Sequence, residues 1–263
     1  MFLPYSKYVC AGVVFFLAAI AVRAQVQVTV EQHSADTYPA FRFSKVPPPQ
    51  AHDAAVDAAI SVVDGTADPH CGGLSVLKDG ITPVRADQPN LNFFFAPGSN
   101  GGRLQFDLHR RVNIQNVNTY SWHSSSRAPQ IYTLYGSDGL GANFNPEPKR
   151  PVDPSRVGWR MLGKVDTRKT NGAVGGAYGV SIHDPSQPVG HYRYLLFDIE
   201  AAETRDSIGN TFYSEIDVIE TGQPLADEVA LPGLTSYSIE GANIISRWMF
   251  LKRPNWPSGP GNN

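Results

Sequence analysis

Gly98-Ser99-Asn100-Gly101-Gly102 followed by Arg103-Leu104-Gln105-Phe106-Asp107-Leu108 is the stretch that decides the fold. Leu104, Phe106 and Leu108 fall on one face, and Arg103, Gln105 and Asp107 on the other. That two-residue period is the signature of a half-buried strand entered from a flexible glycine loop. Downstream the period persists through Val112 and Ile114. It slips at Gln115-Asn116, as a bulge produces, and resumes at Val117, Thr119 and Ser121.

Outward from this stretch, strand follows strand. Gln130–Ser137 is rich in β-branched and aromatic residues and stops at Asp138-Gly139. Trp159–Asp166 and Ala177–Ile182 read as further strands beyond a proline-rich loop. Tyr192–Ile199 is apolar on both faces, which predicts a central strand buried between layers. Phe212–Ile219 alternates, with Phe212, Ile216 and Val218 expected inward. About seven such segments without an amphipathic helix predict an all-β jelly-roll sandwich with one core, spanning residues 53–220.

The flanks read differently. Met1–Val9 carries Lys7, Cys10–Val22 is apolar, and Val22-Arg23-Ala24 precedes a cut before Gln25, the pattern of a signal peptide over residues 1–24. The chain is therefore expected to be secreted or periplasmic, with no transmembrane segment once the signal is removed. Residues 25–52, with Pro47-Pro48-Pro49, read as a proline-containing leader. Residues 221–263 read as a partly disordered extension.

Composition narrows the function classes. The 263 residues hold 24 Gly and 21 Pro, above the roughly 7% and 5% of average usage, as a turn-rich β protein needs. With 22 Lys and Arg against 24 Asp and Glu, no basic field exists to steer nucleic acid. Beyond the signal peptide Cys71 is the single cysteine, so no internal disulfide forms; it is expected as a small buried hydrophobe. Searches for G-x-S-x-G, H-E-x-x-H, C-x-x-C, a dinucleotide fingerprint and a Walker loop are all negative, and the acids are scattered, so no enzyme class is indicated.

The suggestive residues are aromatic and polar groups near strand ends. Tyr120, Trp122, His123 and Arg127 lie at one strand-loop junction, Asn143 and Phe144 in a later loop, and Tyr178 and His183 further on. Aromatic faces pack against the C–H face of a sugar, while Arg, His and Asn bond its hydroxyls. Trp122, His123, Arg127 and Asn143 are the ligand-binding candidates.

The segments Gly102–Leu108, Tyr132–Gly139, Trp159-x-x-Leu162, Gly190-x-Tyr192-Arg193-Tyr194-Leu195 and Phe212–Val218 resemble, in order and spacing, the coagulation-factor type C or discoidin domain of the galactose-binding-like class. The resemblance implies a non-catalytic binding module that takes a glycan or glycoconjugate through loops at one end of the sandwich. A protein- or lipid-surface adhesion module, with a surface protein as partner, is the first alternative, and a polysaccharide-acting enzyme the second. The resemblance also implies a structural Ca2+, with Asp79 and Glu215 at the corresponding positions; the Thr-x-Trp usual after the Asp-Gly turn and the family's disulfide are absent.

Overall fold

A computed structural model describes residues 26–34, 42–83, 85, 87–168, 174–204 and 208–222, all within one compact unit that ends at Gln223. The expected signal peptide and all but the first two residues of the expected C-terminal extension lie outside the described residues. Among the described residues no helix is long and apolar enough to cross a membrane.

Among the described residues eight strands carry the fold: β1 (Gln27–His33), β2 (Ala59–Asp64), β3 (Gly102–His123), β4 (Ile131–Ser137), β5 (Arg160–Asp166), β6 (Gly176–His183), β7 (Gly190–Ile199) and β8 (Tyr213–Glu220). All pairings are antiparallel. β3 organises the whole, because its first half joins β2 and β7 while its second half joins β6 and β8. One layer is therefore β2-β3-β7-β4-β5 and the other β1-β6-β3-β8, the two-layer sandwich that the strand pattern predicts.

β3 changes layer where its ladder breaks. Residues 108–111 loop out between Asp107 and Val112, His109 adopts φ 61, and the His109 N–H donates to Asp107 Oδ1 at 2.8 Å to close the local turn. The slip at Gln115 is present, as a register shift between Ile114 and Asn116 against β8. Leu104, Phe106, Val117, Val180, Leu195, Phe197, Ile216 and Val218 then meet in one core, each at most 1% exposed. β7 is covered on both faces: Leu196, on its outer side, packs with Val63 and Trp159 under the Phe144 loop. Cys71 is a free thiol packed part-buried on the core edge.

Two expectations are corrected. Gln27–His33, read as part of a leader, is β1 and pairs with β6 through seven residues. The signal was present as Val26, Val28 and Val30 at period two, but an edge strand with one wet face is short and reads as polar sequence. Phe212 does not join the main core. A bulge at Ser214, between the Tyr120–Glu215 and Ser121–Tyr213 pairs, flips the phase, so Tyr213 enters the core and Phe212 packs outside it.

The segment after β1 is anchored by one carboxylate. Glu31 accepts from the backbone N–H groups of Ser44, Lys45 and Val46 at 2.7–3.1 Å and from Ser44 Oγ, while the His33 ring bonds it at 3.0 Å. Burial alone would raise its pKa, but these donors together hold it at about 2. The folded value lies below the unfolded one, so the stabilisation is complete above about pH 4.5 and lost as pH falls toward 2. Glu31→Gln should cost on the order of 2 kcal/mol at neutral pH, measured by urea unfolding, and should remove that acid-side loss.

Candidate functional site

β3 places neighbouring candidates on opposite faces. Thr119, Ser121 and His123 face the inner side, where Gln130 bridges Thr119 and Ser121, whereas Tyr120 and Trp122 face outward. The ligand candidates thus divide between two places at the end of β3, with Asn143 in a third.

His123 and Arg127 meet at the loop end. The Phe94 and Phe212 rings stack at 4.1 Å, the Arg127 guanidinium lies 3.9 Å over Phe212 and 4.6 Å from Phe94, and His123 meets Phe212 edge-on at 4.9 Å. Arg127 Nε donates to the Asn210 carbonyl, and Asn210 Oδ1 accepts from the Gly101 N–H, so this stack ties both ends of β3 to the β7–β8 loop. Phe94 and Phe212 are 2% and 1% exposed, so their faces are spent on one another and on Arg127. Burial lowers the His123 pKa, Asp87 opposes that, and the Arg127 charge adds to it.

Ser125 Oγ is 2.9 Å from His123 Nδ1, and Asp87 Oδ1 is 3.9 Å from Nε2. The Ser125 backbone N–H also points at Nδ1, at 3.0 Å, and occupies its lone pair. The ring therefore closes a turn, and the long approach to Asp87 is no hydrogen bond.

Trp122 lies on the other side, in a pocket of about 300 Å³. Its floor is Tyr120, Trp122, Ala177 and Ser214 of β3, β6 and β8; its walls are Arg42, Phe43, Pro48 and Pro49 of the segment that Glu31 anchors, closed by Thr82 and Pro83. Tyr120 OH donates to the Pro47 carbonyl at 2.5 Å, and the Phe43 and Tyr120 rings are 5.6 Å apart. Gly179 makes room for this wall, since a Cβ there would stand 2.9 Å from the Phe43 ring. Sequence reasoning named Trp122 and Tyr120 but missed Arg42 and Phe43, a cation and an aromatic inside a polar leader, and Thr82, which follows the Asp79-Gly80 turn.

Behind this face is a buried acidic group. Asp79 is exposed and accepts from the Ile81 N–H at 2.8 Å, while the adjacent Gly80 N–H donates to Glu215 Oε2 at 2.6 Å, so the turn and the last strand do meet. Glu215 and Asp217 are fully buried, and Glu215 Oε1 has no hydrogen-bond partner. Burial first, then the Asp217 charge, pushes Glu215 up to about 9; burial and Asp53 push Asp217 up to about 7. Asn143 stands apart on the first layer, bonding the Arg156 carbonyl, with its neighbour Phe144 packed on Trp159 and Tyr194. Tyr178 bonds the Val174 carbonyl and His183 ends β6.

No protein-family model and no curated protein matches the chain. Solved structures do match. A Clostridium perfringens chain described as CpGH89CBM32-6 is 16% identical, with 65% of this chain and all of that one covered at TM-score 0.38. A chain described as GH31 CBM32-2 bound to GalNAc is 13% identical over 63% of this chain and 98% of that one, TM-score 0.41. A Ruminococcus gnavus GH29 fucosidase is 14% identical over 66% of this chain, and only 28% of the fucosidase is covered, TM-score 0.38.

Proposed function

We propose that this chain is a non-catalytic carbohydrate-binding module whose ligand enters the Trp122 pocket. One observation carries the reading: three aromatic residues, Phe43, Tyr120 and Trp122, line a concave site together with Arg42, Thr82 and Ser214. Aromatic faces take the C–H side of a pyranose while guanidinium and hydroxyls bond its oxygens. Ligand pockets run roughly 300–1,000 Å³, so this one suits one or two rings and a weak, micromolar-to-millimolar affinity. Export, read from residues 1–24, belongs to the same proposal.

Titration against a glycan library, followed by Trp fluorescence and calorimetry, tests it. Trp122→Ala should lose about 10-fold or more in affinity, the loss of one buried aromatic contact. Arg127→Ala and His123→Ala should bind within about twofold of wild type, while Arg127→Ala unfolds more easily by about 1 kcal/mol. If Arg127→Ala abolishes binding and Trp122→Ala does not, the site is the loop end; if no glycan binds wild type, the sugar reading fails.

The proposal includes a structural Ca2+. A buried carboxylate with one oxygen lacking a partner is a fitting ligand for a hard cation, and the backbone carbonyls of the 79–83 turn are oxygen donors of the kind calcium takes. Among the described residues no three His, Cys, Asp or Glu side chains gather as a metal set, so Glu215 would be the main charged ligand, and Asp79 would have to turn inward to join it. Such an ion would fix the turn that carries Thr82 and Pro83 to the pocket.

A further inference from the structure

We infer that the loop end of β3 is a pH-operated clasp, closed while the His123 ring is neutral and opened when the ring takes a second proton. None of the clasp residues, His123, Ser125, Arg127 and Phe212, lines the Trp122 pocket.

The closed form is built on one lone pair. The Ser125 backbone N–H at 3.0 Å and Ser125 Oγ at 2.9 Å both meet His123 Nδ1, so Nδ1 is the acceptor and the neutral ring carries its proton on Nε2. That turn sets the residues beyond it. The Ala128 N–H donates to the Ser125 carbonyl at 3.1 Å, and the Phe212 N–H to the Arg127 carbonyl at 2.9 Å. Thr211 Oγ1 donates to the Pro129 carbonyl, and Arg127 Nε to that of Asn210. The His123 ring thereby holds the loop over 124–129 against residues 210–212, which lead into β8.

A proton on Nδ1 undoes this twice. Ser125 Oγ can turn to accept it, but the backbone N–H then faces a donor and loses its acceptor. The imidazolium also shares the Phe212 ring with a guanidinium, Arg127 standing 3.9 Å and His123 4.9 Å from its centre. Among the described residues Asp87 and Arg127 are the charges acting on His123. Asp87 is exposed and 3.9 Å from Nε2, beyond hydrogen-bond reach. Phe212, and Gly176 opposite His123 on β6, bring no charge. Burial first, with Asp87 opposing and Arg127 adding, holds the ring below the ordinary imidazole range. The folded value thus lies below the unfolded one, so closure is complete above the unfolded value and lost as pH falls through the folded one.

Hydrogen exchange on the full chain reads the clasp. From about pH 7.5 to about pH 5, corrected for intrinsic exchange, peptides over 124–130 and 208–213 should lose protection by roughly 5- to 30-fold, while those in β4 and β7 keep theirs. The upper figure is the limit set by an open-state pKa near 6.5. His123→Asn places an acceptor oxygen near the Nδ1 position and does not titrate, so its clasp should stay closed at both pH values. Asp87→Asn removes the carboxylate that favours the imidazolium, so opening should begin at lower pH than in wild type. Unchanged protection in wild type, or an equal loss in His123→Asn, overturns the inference. If His123→Asn does not fold, Asp87→Asn decides: an onset that stays at the wild-type pH, or rises, overturns it.

Discussion

In a chelator, the melting temperature of this chain should fall as pH is raised from about 5 to about 9, and calcium should flatten that fall. Glu215 holds its proton in the folded state up to about pH 9 because burial and the neighbouring Asp217, Asp79 and Asp53 disfavour its charge, against the one Gly80 N–H that favours it. Unfolded, it ionises near 4.5. Across that window Glu215 binds a proton in the folded chain and not in the unfolded one, so its contribution to stability is greatest below about 4.5 and declines as pH rises. Asp217, pushed up to about 7, adds to the same slope in its lower part. Each pKa unit is about 1.4 kcal/mol, but relaxation around a buried acid recovers much of it, so a decline on the order of 3 kcal/mol is expected.

A cation at Glu215 stabilises the charged form and reverses the preference, which gives a two-way test. In chelator at pH 8, Glu215→Gln should melt higher than wild type; in millimolar calcium it should melt lower, since the main ligand is gone. If added calcium shifts neither the wild-type melting temperature nor its pH slope, the calcium proposal is refuted. A flat wild-type profile in chelator would refute the burial account of Glu215.

Phe197→Ala should destabilise the domain by about 3–5 kcal/mol, a third or more of the total stability of an ordinary domain. Phe197 is 1% exposed in the middle of β7, with Phe106 at 5.4 Å and Tyr132 at 5.6 Å from its ring, so both flanking strands, β3 and β4, lose a contact and the void cannot collapse onto solvent. Melting should drop by on the order of 10 °C for a chain of this size. Phe144→Ala, in the part-exposed cluster under the β4–β5 loop, should cost less than half as much. Equal costs at the two positions would mean that the core is not centred where the two layers meet.

Those two residues show how unevenly the sequence discloses the molecule. The period-two runs from Arg103 to Ile199 are local, so strands β3 to β7 and the all-β class were legible in them. The bulge at Gln115 was legible too, because a phase slip in the apolar pattern is its direct trace. The bulge at Ser214 was not: Phe212 and Tyr213 are both large aromatics, and either could have faced the core.

The site divides the same way. Trp122 could be named from its type and its place at a strand end. That it shares a pocket with Arg42, Phe43 and Thr82, while His123 one residue later turns into a closed stack with Phe212, depends on contacts between segments 40 to 90 residues apart.

Sequence alone thus determined strands β3 to β8 and the all-β class, while the family resemblance pointed to the meeting of the Asp-Gly turn with the last strand. Tertiary structure decided which residues share a cavity, that the expected leader is an edge strand and pocket wall, and that Glu31 pins it. The physical reason is range: alternation is written residue by residue, whereas a cavity wall and a buried acid's charge state are set by what long-range packing brings against them.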